Sequence, residues 1–363
     1  MFVSPLSLSS LSLLLLLFGG GVVYGKTLEI KDVDGLIEFS ESVNSGTTYE
    51  GTTVVLTTDI VFDESSSWQF KPIGKDQTNN FQGSFDGKGH VISNLMVNSS
   101  LQNLGLFGYL DGGITIKNVV LDASCSVEGI SDTDIYMGGI IGWYYTNKGA
   151  AAIENCVNMA SVLYKEGESS SIAIGGIAGA ISASSYEITV KNCANYGNVA
   201  NHGTNNGGYI GGIVGYSGGS YSKRIQNCLN YGTEFSLATS KLRMGGIVGN
   251  SQDTVISNCL SAGKITLPEG IIVSGVGGIV GYVTSPYSST TTIEHCRWTT
   301  DTSRSSSYGY KDTKRHSDRN KHHPNRSSRR SLGRPEHPSL QERVEPVVYA
   351  QSERGNHQRS GTG

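Results

Sequence analysis

Five cysteines recur through the middle of this 363-residue chain, at Cys156, Cys193, Cys228, Cys259 and Cys296. The first four follow an asparagine (Asn155, Asn192, Asn227, Asn258) and the last follows His295. Thiols at regular intervals could bind metal, pair as disulfides or pack as small hydrophobes. Zinc calls for closely spaced pairs such as C-x₂-C, and one cysteine per thirty-odd residues does not supply them. Disulfides suit an exported chain, and stacked coils would bring the Cα atoms within bridging range. An odd column of five cannot pair completely, however, and parallel stacking aims the Cβ vectors alike. Buried free thiols are therefore expected, with bridged neighbours as the alternative.

Carboxylates are the next place to seek chemistry. Cleavage of a polysaccharide needs converging acids, with a metal or a second acid nearby. Asp111, Asp122, Asp132 and Asp134 gather early in the repeats, but Asp132-Thr133-Asp134 reads as a solvated loop. Glu154, Glu187 and Glu294 come one per repeat with no partner at fixed spacing, and His90 and His202 stand alone. The glycine-rich segments recur alike in every copy, as structural glycines would, rather than once as a phosphate loop or nucleophile elbow. No catalytic residue, metal or cofactor is expected. Aromatic residues are better candidates for function. The residue after each glycine core is Tyr109, Trp143, Ala180, Tyr216, Asn250 or Tyr282, with Tyr144, Tyr145, Tyr221 and Tyr287 nearby. Rings stacked by repeat could bind sugars or a protein partner; they could equally cover the fold's edge. Outward, coplanar rings would mark the first role and inward rings the second.

What positions these residues is a repeat. Gly-Gly-Ile begins at Gly138, Gly175, Gly211, Gly245 and Gly277, at intervals of 37, 36, 34 and 32, and a diverged copy begins at Gly105. Six copies at this period imply a solenoid, propeller or array. Each holds an apolar strand with glycines, a variable loop, a strand ending in Asn-Cys and often a third short strand. Three short strands per copy fit one coil of a parallel β-helix better than a propeller blade. The glycines would turn a corner by positive φ or close backbone approach, the following Ile and Val would point inward, and the asparagines would stack as an amide ladder serving backbone groups at a turn.

The flanks differ. Leu6 to Phe18 is a short apolar run, too short to span a bilayer, and with Val23-Tyr24-Gly25 before Lys26 it reads as a signal peptide over 1–25. Residues 26–102 hold an amphipathic helix at about 35–45, with Asp34 as N-cap, Leu36, Phe39 and Val43 as its stripe and Gly46 as its stop. That helix would cap the first coil. A strand over Thr52–Val61 follows, then core candidates Phe81, Phe85, Val91 and Ile92, and a sequon at Asn98 for a glycan. The repeats occupy 103–310. Residues 311–363 carry 12 Lys/Arg against 6 Asp/Glu and no repeat, so a basic disordered tail or a shifted reading frame is expected there. The net charge is −3, with the acid excess in the body, which argues against nucleic acid as a partner.

These residues resemble the GLUG-repeat proteins. Gly105-Leu106-Phe107-Gly108 matches the family's pattern literally and the Gly-Gly-Ile-Val-Gly cores are its variants; the lead-in motifs Leu56-Thr57-Thr58-Asp59-Ile60, Pro72-Ile73-Gly74 and Phe85-Asp86-Gly87-Lys88-Gly89-His90 match as well. The resemblance implies an all-β, right-handed parallel β-helix, exported to the surface or beyond, often adhesive, with no shared catalytic residues. The expectation is a secreted or cell-surface scaffold meeting glycans or extracellular host proteins, with no membrane span in the mature chain. Two alternatives stand beside it: a carbohydrate-active β-helix of lyase or hydrolase type, and a truncated, non-functional fragment.

Overall fold

A computed structural model describes residues 25–299, apart from 65–68, 168, 170, 204–207, 239–241, 268–274 and 285–289. The chain divides into two units, Met1–Thr313 and Lys314–Gly363, and every described residue lies in the first. The leader, Tyr287 and the basic tail lie outside the described residues.

The first unit is a parallel β-solenoid. Strands one coil apart pair in parallel, in register but for one shift between Gly129 and Ile130, in five sheets of nine, eight, six, six and six strands. One coil runs Thr115–Lys117, Val120–Leu121, Ser126–Ile130, Ile135–Gly138 and Ile141–Thr146 before the next starts at Ala151. Each coil thus carries five short strands, not three. The extra two are the residue pair after the cysteine and the segment leading into the glycine core, both too short for an alternation pattern to register.

In-register stacking puts like on like. Val54, Phe85, Ile116, Ile153, Val190, Ile225, Ile256 and Ile293 form one inward column. Leu104, Met137, Ile174, Ile210, Met244 and Val276 form another. Apart from half-buried Val276 and Ile293, these side chains are buried, so every coil adds apolar burial that the coil above completes.

The glycine pair works by close approach alone: Gly138 and Gly139 are absent from the positive-φ set. A Cβ on Gly139 would lie 2.1 Å from Asn158 Oδ1 and 2.7 Å from the Gly176 carbonyl. Positive φ falls instead on the residue before each cysteine of the column, and on Asn118, which precedes Val119 in the diverged copy: Asn118, Asn155, Asn192, Asn227, Asn258 and His295 all sit at φ 53–55°. Asparagine is among the few non-glycine residues that tolerate this region.

The N-terminal helix spans Val33–Asn44, and its N-cap is Asp32, not Asp34: the Asp32 carboxylate accepts from Gly35 N at 2.8 Å, and Asp34 lies two residues on, in the first turn. Leu36, Phe39 and Val43 are buried, and Gly46 follows at φ 106°. Phe39 packs edge-on to Tyr49 and Phe81, so the helix closes the end of the apolar interior. The edge of the nine-stranded sheet is Lys26–Ile30, which pairs with Thr52–Leu56. The expected Thr52–Val61 strand is two, Thr52–Leu56 and Ile60–Val61, divided by the turn that carries the chain to the next sheet. Phe81, Phe85 and Ile92 are core residues, whereas Val91 is half-buried because its neighbour Ile92 takes the inward position.

Candidate functional site

All six cysteines are free. Cys156, Cys193, Cys228 and Cys259 are buried, Cys296 is half-buried, and Cys125 lies buried outside their column. Each thiol of the column donates to the carbonyl two residues earlier, as Cys156 does to Glu154 O at 3.3 Å. Burial pushes Cys125 up to about 11 and raises Cys193 well above the ordinary thiol range, so these are packing thiols rather than thiolates.

The asparagines before the cysteines form an exposed amide ladder, and their side chains bond to one another rather than to backbone. Asn155 donates to Asn118 Oδ1, Asn192 to Asn155 and Asn227 to Asn192, each at 3.1 Å, and Asn118 donates to Asp86 Oδ1 at 2.8 Å. A second ladder lies inside. Two residues after Cys156, Cys193 and Cys228 stand Asn158, Asn195 and Asn230, all fully buried. Asn158 donates to Asn195 Oδ1 at 2.9 Å and Asn195 to Asn230 Oδ1 at 3.0 Å, while Asn158 and Asn195 also bond the backbone two residues on. The ladder ends at Glu234, which accepts from Asn230 Nδ2 and is itself fully buried. Its signal in the sequence is Asn-Cys-x-Asn, present in three copies, whose second asparagine is as regular as the first.

The carboxylates do not converge. Asp111 pairs with Lys148, whereas Asp122 bonds Ser93 and Ser124 at a different corner of the coil. Glu154 and Glu187, expected without partners, have cations one coil on: Lys191 at 3.1 Å and Arg224 at 2.8 Å. Register explains this, since Glu154 stacks directly on Lys191. His90 is not alone either; its Nδ1 lies 3.2 Å from Asp59 Oδ1, and His202 packs edge-on to Phe235. Among the described residues, no group of three or more His, Cys, Asp or Glu could hold a metal ion.

The four aromatics singled out by the repeat share one outer sheet face, in the register Tyr109, Trp143, Ala180, Tyr216, Asn250, Tyr282. Their inward neighbours Leu110, Tyr144 and Ile181 are fully buried, which corrects the placing of Tyr144 near the binding face: its hydroxyl donates to Ile114 O at 2.6 Å inside the core. Tyr109 is 7% exposed and Tyr282 38%, with Trp143 and Tyr216 between. The rings are tilted rather than coplanar: Tyr109 and Trp143 meet at 45°, and Trp143 lies 4.2 Å from Tyr136 on the adjoining sheet. Tyr209 joins Tyr216 at 5.3 Å, and the Arg243 guanidinium sits 4.1 Å over the Tyr282 ring. Elsewhere Tyr196 and Tyr231 stack in parallel, 5.6 Å apart, each 46% exposed. Asn98 projects from the strand Met96–Ser99 and is exposed.

No helix among the described residues is long and apolar enough to cross a membrane. No family model matches the chain. A stretch of 116 residues is 34% identical to Halomucin of Haloquadratum walsbyi; it is 30% of this chain and 1% of Halomucin. In fold the chain is similar to the crystal structure of a candidate immunoglobulin A1 protease from Bacteroides ovatus, with a TM-score of 0.50 and 20% identity over 76% of this chain and 84% of that one.

Proposed function

We propose that this protein is a secreted or cell-surface β-solenoid of the GLUG-repeat type, acting as an adhesin-like scaffold without catalysis. The observation that carries the reading is the use to which the repeated residues are put. Glycines seat neighbouring coils, asparagines link them and cysteines fill the interior, so the recurring polar and thiol groups are spent on stacking. A rigid stack of this kind is suited to holding surface groups at fixed spacing. The match to part of Halomucin supports an extracellular setting.

The outer face bearing Tyr109, Trp143, Tyr216 and Tyr282 is the proposed contact surface for glycans or for proteins of another cell. The test is adhesion of the full chain to immobilised glycans and to host-cell surfaces. The double variant Trp143→Ala with Tyr216→Ala should lose most of the adhesion while keeping its circular-dichroism spectrum. Full adhesion in the folded variant would remove this face from the proposal.

A further inference from the structure

A groove of about 650 Å³ opens at one corner of the solenoid, lined among others by Tyr186, Glu187, Tyr221, Arg224, Asp253 and Thr290. It arises from turn length. Between Ala183 and Ile188 the corner takes four residues, and between Gly218 and Lys223 again four; between Ser251 and Thr254 it takes only two. The shortened turn leaves a notch beneath Tyr221. Asp253, at φ 48°, forms that short turn and accepts from Thr290 N at 2.8 Å, which closes the lower side.

The lining combines two open rings with a fixed polar wall. Tyr186 is 45% exposed and Tyr221 46%. Glu187 is held by Thr189 Oγ1 at 3.3 Å and by Arg224 Nε at 2.8 Å, a contact that uses one of the five guanidinium N–H donors. Ser220 and Ser222 add hydroxyls. The turn carrying Tyr221 is fastened from below by a buried lysine: Lys223 Nζ donates to Tyr221 O at 2.7 Å and to Gly219 O at 3.0 Å. Gly219 itself sits at φ +90°, where a side chain would be strained and its Cβ would meet Ala183 O at 2.3 Å. Tyr221 N completes the anchoring by donating to Ala183 O at 3.0 Å. A buried ammonium bonded to two turn carbonyls is a costly way to hold a surface loop, and its result is a fixed backbone at the residue that carries the ring.

We propose that this groove binds a neutral pyranose unit of a glycan. Aromatic faces accept the apolar C–H side of a sugar ring, and carboxylate and guanidinium groups exchange hydrogen bonds with its hydroxyls. The volume lies within the range of small-ligand clefts, about 300–1,000 Å³. Glu187 and Asp253 against Arg224 leave one net negative charge, which disfavours uronate or sulfated sugars. The proposal deepens the scaffold reading and rests on it for an extracellular setting, but the groove is separate from the Trp143 face.

The test is saturation-transfer NMR on the full chain with methyl glucoside, methyl galactoside and methyl mannoside, and with glucuronate and galacturonate as charged counterparts. At least one neutral hexoside should receive saturation at its ring C–H protons. Tyr221→Ala should weaken it about tenfold or more, Tyr221→Phe should retain it, and Tyr196→Ala, an exposed ring outside the groove, should leave it unchanged; the uronates should bind several-fold more weakly. An unchanged affinity in Tyr221→Ala, or no transfer to any neutral probe, overturns the proposal. If the chain still adheres to glycan surfaces while no hexoside binds, the groove falls and the scaffold reading stands. If a hexoside binds the groove and the chain adheres to no surface, the groove stands and the adhesive role falls.

Discussion

Replace Glu234 by glutamine and stability should stop depending on pH between 5 and 7. Glu234 occupies an inward column otherwise made of Val97, Val127, Val162, Val199 and Ile265. Its Oε1 accepts from Asn230 and its Oε2 has no partner. Burial pushes the carboxyl from an ordinary 4.5 up to about 8, against the opposing effect of the Asn230 hydrogen bond. The folded state therefore holds a proton that the unfolded state releases. A raised folded value means the contribution to stability is complete below pH 4.5 and is lost as pH rises towards about 8. At 1.36 kcal/mol per unit, the loss between pH 5 and pH 7 is about 3 kcal/mol. Glutamine keeps the shape and the acceptor but cannot ionise. Native-state hydrogen exchange at Glu234–Ser236 and the paired strands Val199–Asn201 and Ile265–Thr266 should show protection falling with pH in the natural chain and flat in Glu234→Gln, once intrinsic exchange is corrected. Buried Lys223, lowered by burial to about 8 from 10.5, contributes its own slope only between those values, outside this window. Equal slopes in the two proteins from pH 5 to 7 would refute the reasoning.

Three further outcomes follow from the stacking. Gly139→Ala places a methyl 2.1 Å from Asn158 Oδ1 and should cost about 3 kcal/mol or more in thermal or urea unfolding, since overpacking of a tight site typically costs 1–3. Asn195→Ala removes bonds to Asn158, Asn230 and Gly197 inside the core and should cost about 2–4 kcal/mol, whereas Asn192→Ala, exposed, should cost about 1–2, most of it recovered by Asn192→Gly, which suits φ 55°. A thiol reagent should label at most half-buried Cys296 in the native chain and all six cysteines in denaturant.

The coil period, the inward Ile and Val columns, the cysteine column and the helix stripe were legible because each recurs or alternates over enough residues to stand out. Two-residue strands such as Val157–Asn158 are too short for any period, which is why three strands per coil were expected and five are present. The two alternatives left open at Gly138 and Gly139 have a related cause: sequence shows that glycine is required but not whether φ or space requires it, and here it is space. Partners across coils, such as Glu187 with Arg224, lie 37 residues apart and become visible only when the register is known to the residue. Tyr144 and Tyr145 are adjacent, yet one is fully buried and the other half-exposed; which parity faces inward is set by the corner before them.

That division bears on where function can reside. A residue that recurs in every coil is constrained by the residue above and below it, so a repeated motif in a solenoid reports stacking before anything else. The positions free to take on a ligand are those that break the repeat: the corner turns, whose lengths differ between coils, and the outward strand positions, where Tyr216 gives way to Asn250 and Trp143 to Ala180. At the corner holding Tyr186 and Tyr221 the break is a two-residue shortening of the next turn, and it creates a concavity where a uniform solenoid would be smooth. Lengthening that turn by two residues at Gln252–Asp253 should restore the four-residue corner, fill the notch and abolish hexoside binding while the register of Val248–Ser251 and Thr254–Ser257 is kept. A lengthened chain that folds and still binds would show that the ligand sits on the tyrosines alone and that turn length plays no part.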